Sequence, residues 1–275
     1  MRKELSLKRK KYLYSVKNIK KLRQLVRKKT KKLLKSIKTD CFELGYVLGV
    51  ICGDGNLTKY SVRLNCIDRD FAEFFKQQIE KWSKMRCKKQ ILISKNSRWK
   101  NQFFVQLNSK EVVNFLKNFN LKNLVNSSKE MKIGFLKGFF DSEGTIYIIG
   151  YTRTIEVCNA NLHYLKICKI LLEQLGIRTR NLRKGIRAYK LTLQNSQENF
   201  KKFKDKIGFS IKRKHQRLTQ LINSYCKKRK EWSEKEISFL KQNYRILKNK
   251  EIAKILNRTR QSIYMKKIRL NLIEG

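Results

Sequence analysis

The sequence has no proline, where about 5% is ordinary, only two histidines, and 21 acidic residues against 67 lysines and arginines. Each shortage excludes something. His163 and His215 stand apart from any cysteine at ligand spacing, which argues against a zinc finger and leaves a histidine-metal nuclease without its parts. Cys41, Cys52, Cys66, Cys87, Cys158, Cys168 and Cys226 occur singly, with no C-x-x-C pair, the usage of a reducing compartment. The longest uncharged apolar stretch lies within Leu44 to Cys52 and is interrupted by Gly45 and Gly49, far short of the roughly 20 residues of a membrane span. The Lys-rich first residues contain no apolar segment, so no secretory signal is expected and an intracellular location, cytoplasm or organelle matrix, is. The missing proline, with abundant Lys, Asn and Ile, fits the codon usage of an AT-rich genome.

What remains is positive charge. A formal net of +46 and a pI near 10.3 make a compact body that repels itself until a polyanion neutralises it, so nucleic acid is the expected partner and membrane is not. With 275 residues there is room for two units, and 41% hydrophobic residues can supply their cores.

Residues 1–38 form a basic segment with Leu22, Leu25, Val26, Leu33, Leu34 and Ile37 at helical spacing. So little apolar surface predicts an arm that orders on nucleic acid. From residue 41 the pattern nearly repeats. Phe42 to Asp54 reads as an apolar helix, followed by a hairpin over Asn56 to Ile67, a helix over Asp70 to Met85, a hairpin over Lys88 to Leu107 and a helix over Lys110 to Phe119. The order restarts with a helix over Ser128 to Ser142, a hairpin over Thr145 to Val157, a helix over Leu162 to Leu175, a hairpin over Thr179 to Leu193 and a helix over Gln197 to Ile207. The predicted organisation is α+β: two αββαββα halves, 39–125 and 126–226, and a tail at 227–275. In the tail, Ser233 and Glu236 have capping-box spacing, and apolar positions place three short helices, an outline of a helix-turn-helix module or of a plain packing appendage.

The opening helices align as LGYVLGVICGDG from Leu44 and IGFLKGFFDSEG from Ile133. Gly45, Gly49 and Gly53 answer Gly134, Gly138 and Ser142. A mid-helix glycine costs about 1 kcal/mol relative to alanine, so two such ladders need a compensating reason, and close backbone contact between the helices supplies one. Each ladder ends in a carboxylate, Asp54 or Glu143, followed by a glycine expected to leave the helix in a left-handed conformation. A pseudo-two-fold would bring the two acids together, where the helix dipoles oppose them and a divalent cation would relieve the repulsion.

These paired motifs resemble the LAGLIDADG homing endonucleases, in the form carrying both motifs in one chain, over roughly residues 41–222. The resemblance implies a monomer whose two sheets form a saddle on duplex DNA. It implies Mg²⁺ or Mn²⁺ held by Asp54 and Glu143 beside Gly53 and Ser142, and cleavage of one phosphodiester on each strand. Two carboxylates and Mg²⁺ suffice for attack on a phosphate without histidine. Cys52 departs from the family pattern where Asp141 keeps an acid, and Asp141 is read as structural. Lys212 and Lys214 follow the last core helix much as the family's basic residue does, or form part of a solvated positive face. Asn65 and Asn159 are candidates for positioning water. Lys59, Arg63, Arg98, Lys100, Arg153, Arg180, Arg183, Arg187 and Lys190 are candidate DNA contacts, about half of which can face the duplex. In the tail, Arg258, Arg260, Gln261 and Lys267 surround the helix expected to enter a groove. The expected function is a site-specific, divalent-metal DNA endonuclease. The alternatives are an intron RNA maturase and a non-cleaving DNA-binding transcription regulator.

Overall fold

A computed structural model describes residues 21, 24, 25, 28, 32, 36–93, 100–150, 152–225 and 231–273. Most of the basic arm, the position of Arg98 and the joint at 227–230 lie outside them. The chain divides into two compact units, Met1–Cys226 and Lys227–Gly275.

In the first unit the order is α1 (Phe42–Cys52), β1 (Asn56–Leu57), β2 (Ser61–Cys66), α2 (Arg69–Ser83), β3 (Lys88–Leu92), β4 (Gln102–Asn108) and α3 (Lys110–Lys117). After a 3₁₀ turn at Leu121–Asn126 the pattern recurs as α4 (Lys129–Glu143), β5 (Gly144–Ile149), β6 (Thr152–Asn159), α5 (Leu162–Gln174), β7 (Arg183–Lys184), β8 (Tyr189–Thr192) and α6 (Gln197–Lys206). The strands form two antiparallel four-stranded sheets with matching orders, β1-β2-β4-β3 and β5-β6-β8-β7. The chain is therefore the mixed helix and sheet fold expected, with two antiparallel sheets. An additional helix, α7 (Lys212–Asn223), buries Leu218, Leu221 and Ile222 and escaped the sequence reading because basic and polar residues fill its other positions.

Local signals account for the helix starts. Ser109 and Ser196, at matching places in the two halves, accept the backbone N–H groups of Val112 and Asn199 at the heads of α3 and α6. Ser128 does the same for Met131 at the head of α4, and is itself held by the Asp40 carboxylate through its N–H and hydroxyl. Arg213 reaches from α7 to Asp68 with two bonds of 2.7 Å, tying this helix to the first half.

In each sheet one face is buried: Val62, Leu64, Val105 and Leu107 in the first, and Ile155, Val157, Leu191 and Leu193 in the second. Leu64 pairs with Val105 and Val157 with Leu191, so these positions correspond between halves. It follows that Cys66, at the end of β2, corresponds to Asn159 at the end of β6. Gly144 pairs with Val157, and extending the β1 register by one residue sets Gly55 opposite Leu64, which makes the β5–β6 hairpin four residues longer than β1–β2.

The second unit consists of α8 (Glu234–Asn243), α9 (Asn249–Ile255) and α10 (Arg260–Arg269) around Leu240, Ile252, Ala253 and Ile263. The expected capping box is present, with Ser233 and Glu236 each accepting the other's backbone N–H.

Candidate active site at the paired helix ends

Helices α1 and α4 pack backbone against backbone. A Cβ added at Gly45 or Gly49 would overlap the carbonyls of Met131 or Phe135, and one at Gly134 or Gly138 those of Phe42 or Tyr46. Each ladder of small residues therefore answers the other helix's main chain, and α1 ends where α4 ends. At that end a Cβ on Gly53 would overlap the Ser142 side chain and lie 3.2 Å from Glu143 Cγ, which sets the two acid-bearing segments against each other. Glu143 is the last residue of α4, whereas Asp54 stands in the turn after α1. Gly55 and Gly144 do not take the left-handed conformation expected of them: Gly144 is extended at φ −72°, and the positive-φ glycines are 150, 176 and 208. Both are needed for space instead, because a Cβ would strike Ile51 at Gly55 and Phe140 and Phe209 at Gly144.

The surroundings of the two carboxylates differ. Burial pushes the Glu143 carboxyl above its ordinary pKa, and the neighbouring Asp54 charge adds to this. Asn159 opposes the shift by donating Nδ2 to Glu143 Oε1 at 2.7 Å, and the same amide reaches the Cys52 carbonyl at 3.3 Å on the other helix. Asp54, exposed to solvent but flanked by protein, is also raised by desolvation and drawn down by Lys214. Asn65, named with Asn159 in the sequence reading, is elsewhere: it lies on the opposite face and donates to Gln102 at 2.7 Å. The residue that corresponds to Asn159 is Cys66, and a one-residue slip in register exchanges the two faces of a strand.

Lys214 and Lys212 separate clearly. Lys214 Nζ donates to the carbonyl of Asp141 at 2.6 Å and to those of Phe140 and Ser142 at 3.3 Å, so its charge caps the C-terminal end of α4. Burial lowers its pKa to about 8 against the pull of Asp141 and Asp54. Lys212 is exposed, and its backbone N–H bonds to Asp70. The geometry brings Lys214, not Lys212, to the acids.

Asp141 lies inside the fold. Its Oδ2 accepts from Tyr46 Oη at 2.8 Å and Ser210 Oγ at 2.6 Å, and its Oδ1 from Ser210 N at 2.9 Å. It fastens α4 to α1 and to the segment leading into α7. At the symmetry-related place stand Phe135 on α4 for Tyr46 and Cys52 on α1 for Asp141, so the hydroxyl and its carboxylate are absent together. Tyr46 and Ser210 escaped the sequence reading because their connection to Asp141 spans 95 and 69 residues.

Two neighbouring carboxylates suit a hard divalent cation that completes its shell with water and phosphate oxygens. Among the described residues no group of three His, Cys, Asp or Glu forms a metal cage. The donor set therefore fits Mg²⁺ or Mn²⁺ better than a closed zinc site.

The expected DNA contacts divide likewise. Arg63 and Lys190 lie on the open faces of the sheets, as does Arg183, paired with Lys190. Lys59, Lys100, Arg180 and Arg187 are exposed outside the regular strands. Arg153 is on the buried-side register of β6, where it donates to Ser224 at 2.6 and 2.8 Å and stacks on Tyr225. In the second unit Arg258 makes two bonds to Glu236, of 3.0 and 2.8 Å, over the Trp232 ring. Lys267 is buried with its ammonium on the Tyr244 carbonyl. These three cations are engaged in packing rather than offered to a duplex, whereas Arg260 and Gln261 are exposed at the start of α10.

Comparison with known proteins bears on the fold and the family. Residues 130–208 match the family model described as a LAGLIDADG-like domain. The protein MJ0314 of Methanocaldococcus jannaschii is 30% identical over 146 residues, 49% of this chain and 54% of that protein, so the chain spans about half of that relative. MJ0398 of the same organism is 30% identical over 214 residues, 67% of this chain and 73% of that protein. Full-length DUF199/WhiA from Thermatoga maritima shares the fold at a TM-score of 0.51 and 15% identity, covering 88% of this chain and 94% of that one. The structure of I-DmoI in complex with DNA and Mn gives a TM-score of 0.46 at 21% identity, covering 60% and 96%. Similar over more than two thirds of that relative's length, the chain belongs to the protein family of MJ0398 and carries a LAGLIDADG-like domain in its second half.

Proposed function

We propose that this protein is a site-specific DNA endonuclease of the homing type, making a double-strand break by divalent-metal-assisted phosphodiester hydrolysis. One observation carries the reading: two carboxylates, one in the turn after α1 and one ending α4, are set together by the Gly53–Ser142 contact, with the Lys214 charge held at the same end. Structural stability alone does not call for two acids at opposed helix dipoles. Asp54 and Glu143 would hold Mg²⁺ or Mn²⁺, which when bound activates water and stabilises a departing oxygen. Asn159 orients Glu143, and Lys214 keeps a positive charge where a phosphate would lie. The net charge of +46 supplies sequence-independent attraction to double-stranded DNA. The arm at 1–38 and the tail at 227–275, through Arg260 and Gln261, would extend the contact on a monomer.

The test is incubation with Mg²⁺ and a library of long duplexes, followed by cleavage of the selected site by Asp54→Asn and Glu143→Gln. Each change removes a ligand and no phosphate contact. Expected is a loss of at least 100-fold in double-strand cleavage, with affinity for the site within about threefold of the parent. Full cutting by either variant overturns the assignment. Charge serves RNA equally well, so retention of intron RNA without duplex cleavage would favour a maturase, and binding of a duplex site without cutting a regulator.

A further inference from the structure

The open faces of the two sheets carry different chemistry. In the first sheet the face opposite Val62 and Leu64 presents Arg63, Asn65, Gln90, Gln102 and Gln106, hydrogen-bonding groups interrupted by the half-buried Phe104 and by Leu92 at the end of the edge strand β3. In the second, the β5–β6 ribbon presents Thr145, Tyr147, Ile149, Thr152 and Thr154 on the corresponding face. Tyr147 is 39% exposed and Ile149 69% exposed, and the five residues carry methyl groups or a ring with no charge and no amide. Farther along the same face, toward the helix ends, lie Glu156, paired with Lys190 at 3.4 Å, and Arg183, beside Lys190. The ribbon is also where the second half exceeds the first by four residues.

We propose that the β5–β6 ribbon selects thymine methyl groups in the major groove of one half-site, while the first sheet, with Arg63 and its amides in the majority, reads mainly hydrogen-bonding base edges in the other. This rests on the nuclease reading above, in which the open faces lie on duplex DNA. Several features point to that occupant rather than to a protein. The face belongs to a chain of net charge +46, and basic residues flank it on the same side. The major groove admits a two-stranded ribbon, and the thymine 5-methyl is the one apolar feature of a base edge there. Residues on one face of a strand recur about every 6.8 Å, twice the base-pair rise of about 3.4 Å, so Tyr147 and Ile149 can meet alternate base pairs. Asn and Gln on the first sheet match adenine, and Arg63 matches guanine.

The experiment uses the full chain without divalent metal. A duplex site is first selected by binding, and each half-site is then prepared with deoxyuridine in place of thymidine, which removes only the 5-methyl group. Uracil in the half under the second sheet is expected to weaken binding roughly fourfold for each methyl buried. The same change in the other half is expected to leave binding within about twofold. The double variant Tyr147→Ser, Ile149→Ser should lose the sensitivity to uracil while unfolding thermally at the parent temperature, both side chains being exposed. A further variant, Leu92→Ser on the first sheet, should retain it. Equal affinity for thymine and uracil duplexes, or a Tyr147→Ser, Ile149→Ser protein that still discriminates, overturns the proposal while leaving the nuclease reading intact. A change of oligomeric state in that variant with unaltered DNA binding overturns it in favour of a protein-contact surface. Failure to select any duplex site removes the nuclease reading itself.

Discussion

The two halves of the first unit share strand order, serine caps and the reciprocal burial of glycine ladders, yet their helix ends differ. The second motif has Asp141 bonded to Tyr46 and Ser210, Asn159 on Glu143, and Lys214 over the end of α4. At the corresponding places the first has Cys52 and Cys66, with Phe135 where Tyr46 would be. Pseudo-symmetry was kept where two backbones touch, because neither helix can change its spacing alone. It was lost in the polar support, which each half can alter without parting the helices. The carboxylates survive in both halves, while the groups that orient them are concentrated on one side.

The strongest test of the shared part is steric. Gly49→Val and Gly138→Val should each lower the unfolding free energy by about 3 kcal/mol or more, since the added atoms meet main chain rather than a movable side chain. Urea denaturation of the two proteins should give similar losses. A neutral Gly138→Val would mean that the helices do not touch there.

The unequal part predicts unequal costs. Asp141→Ala leaves the Tyr46 hydroxyl and the Ser210 N–H without their acceptor and should cost about 2 kcal/mol, while Cys52→Ala removes a small buried thiol for about 1 kcal/mol. Equal losses would show that the Asp141 bonds contribute no more than packing. Tyr46→Phe should recover part of the Asp141→Ala loss, because it removes one of the stranded groups, and a double-mutant cycle measures the coupling.

The smallest effect concerns pH. The folded-state pKa of Lys214 is lowered to about 8, below the ordinary lysine value of 10.5. Its contribution to stability is therefore fully present above about pH 10.5 and is lost as pH falls through about 8. In metal-free protein, the stability of the parent relative to Lys214→Met should rise as pH increases from about 8 to 10.5. A pH-independent difference would mean that Lys214 is not desolvated at the helix end.

Much of this arrangement follows from local rules and is legible in sequence. Glycines at four-residue spacing identify the contact stripe because helix geometry fixes which residues share a face, and Asp54 and Glu143 were found as the acids ending two such stripes. The hairpins and most helices follow from alternation and caps. Charge indicates the partner class because it depends on composition alone. Other features fall outside that reach. The β2 register makes Cys66, not Asn65, the counterpart of Asn159, and a slip of one residue changes every face. Arg153, Arg258 and Lys267 share their residue types with surface cations, and only long-range packing shows that their hydrogen bonds are already taken. Lys214 differs from Lys212 by two positions, a distance that turns the side chain through about 200° around a helix. The sequence set which segments meet, because periodicity is local; the tertiary structure decided which polar groups are free, because that depends on partners distant in the chain.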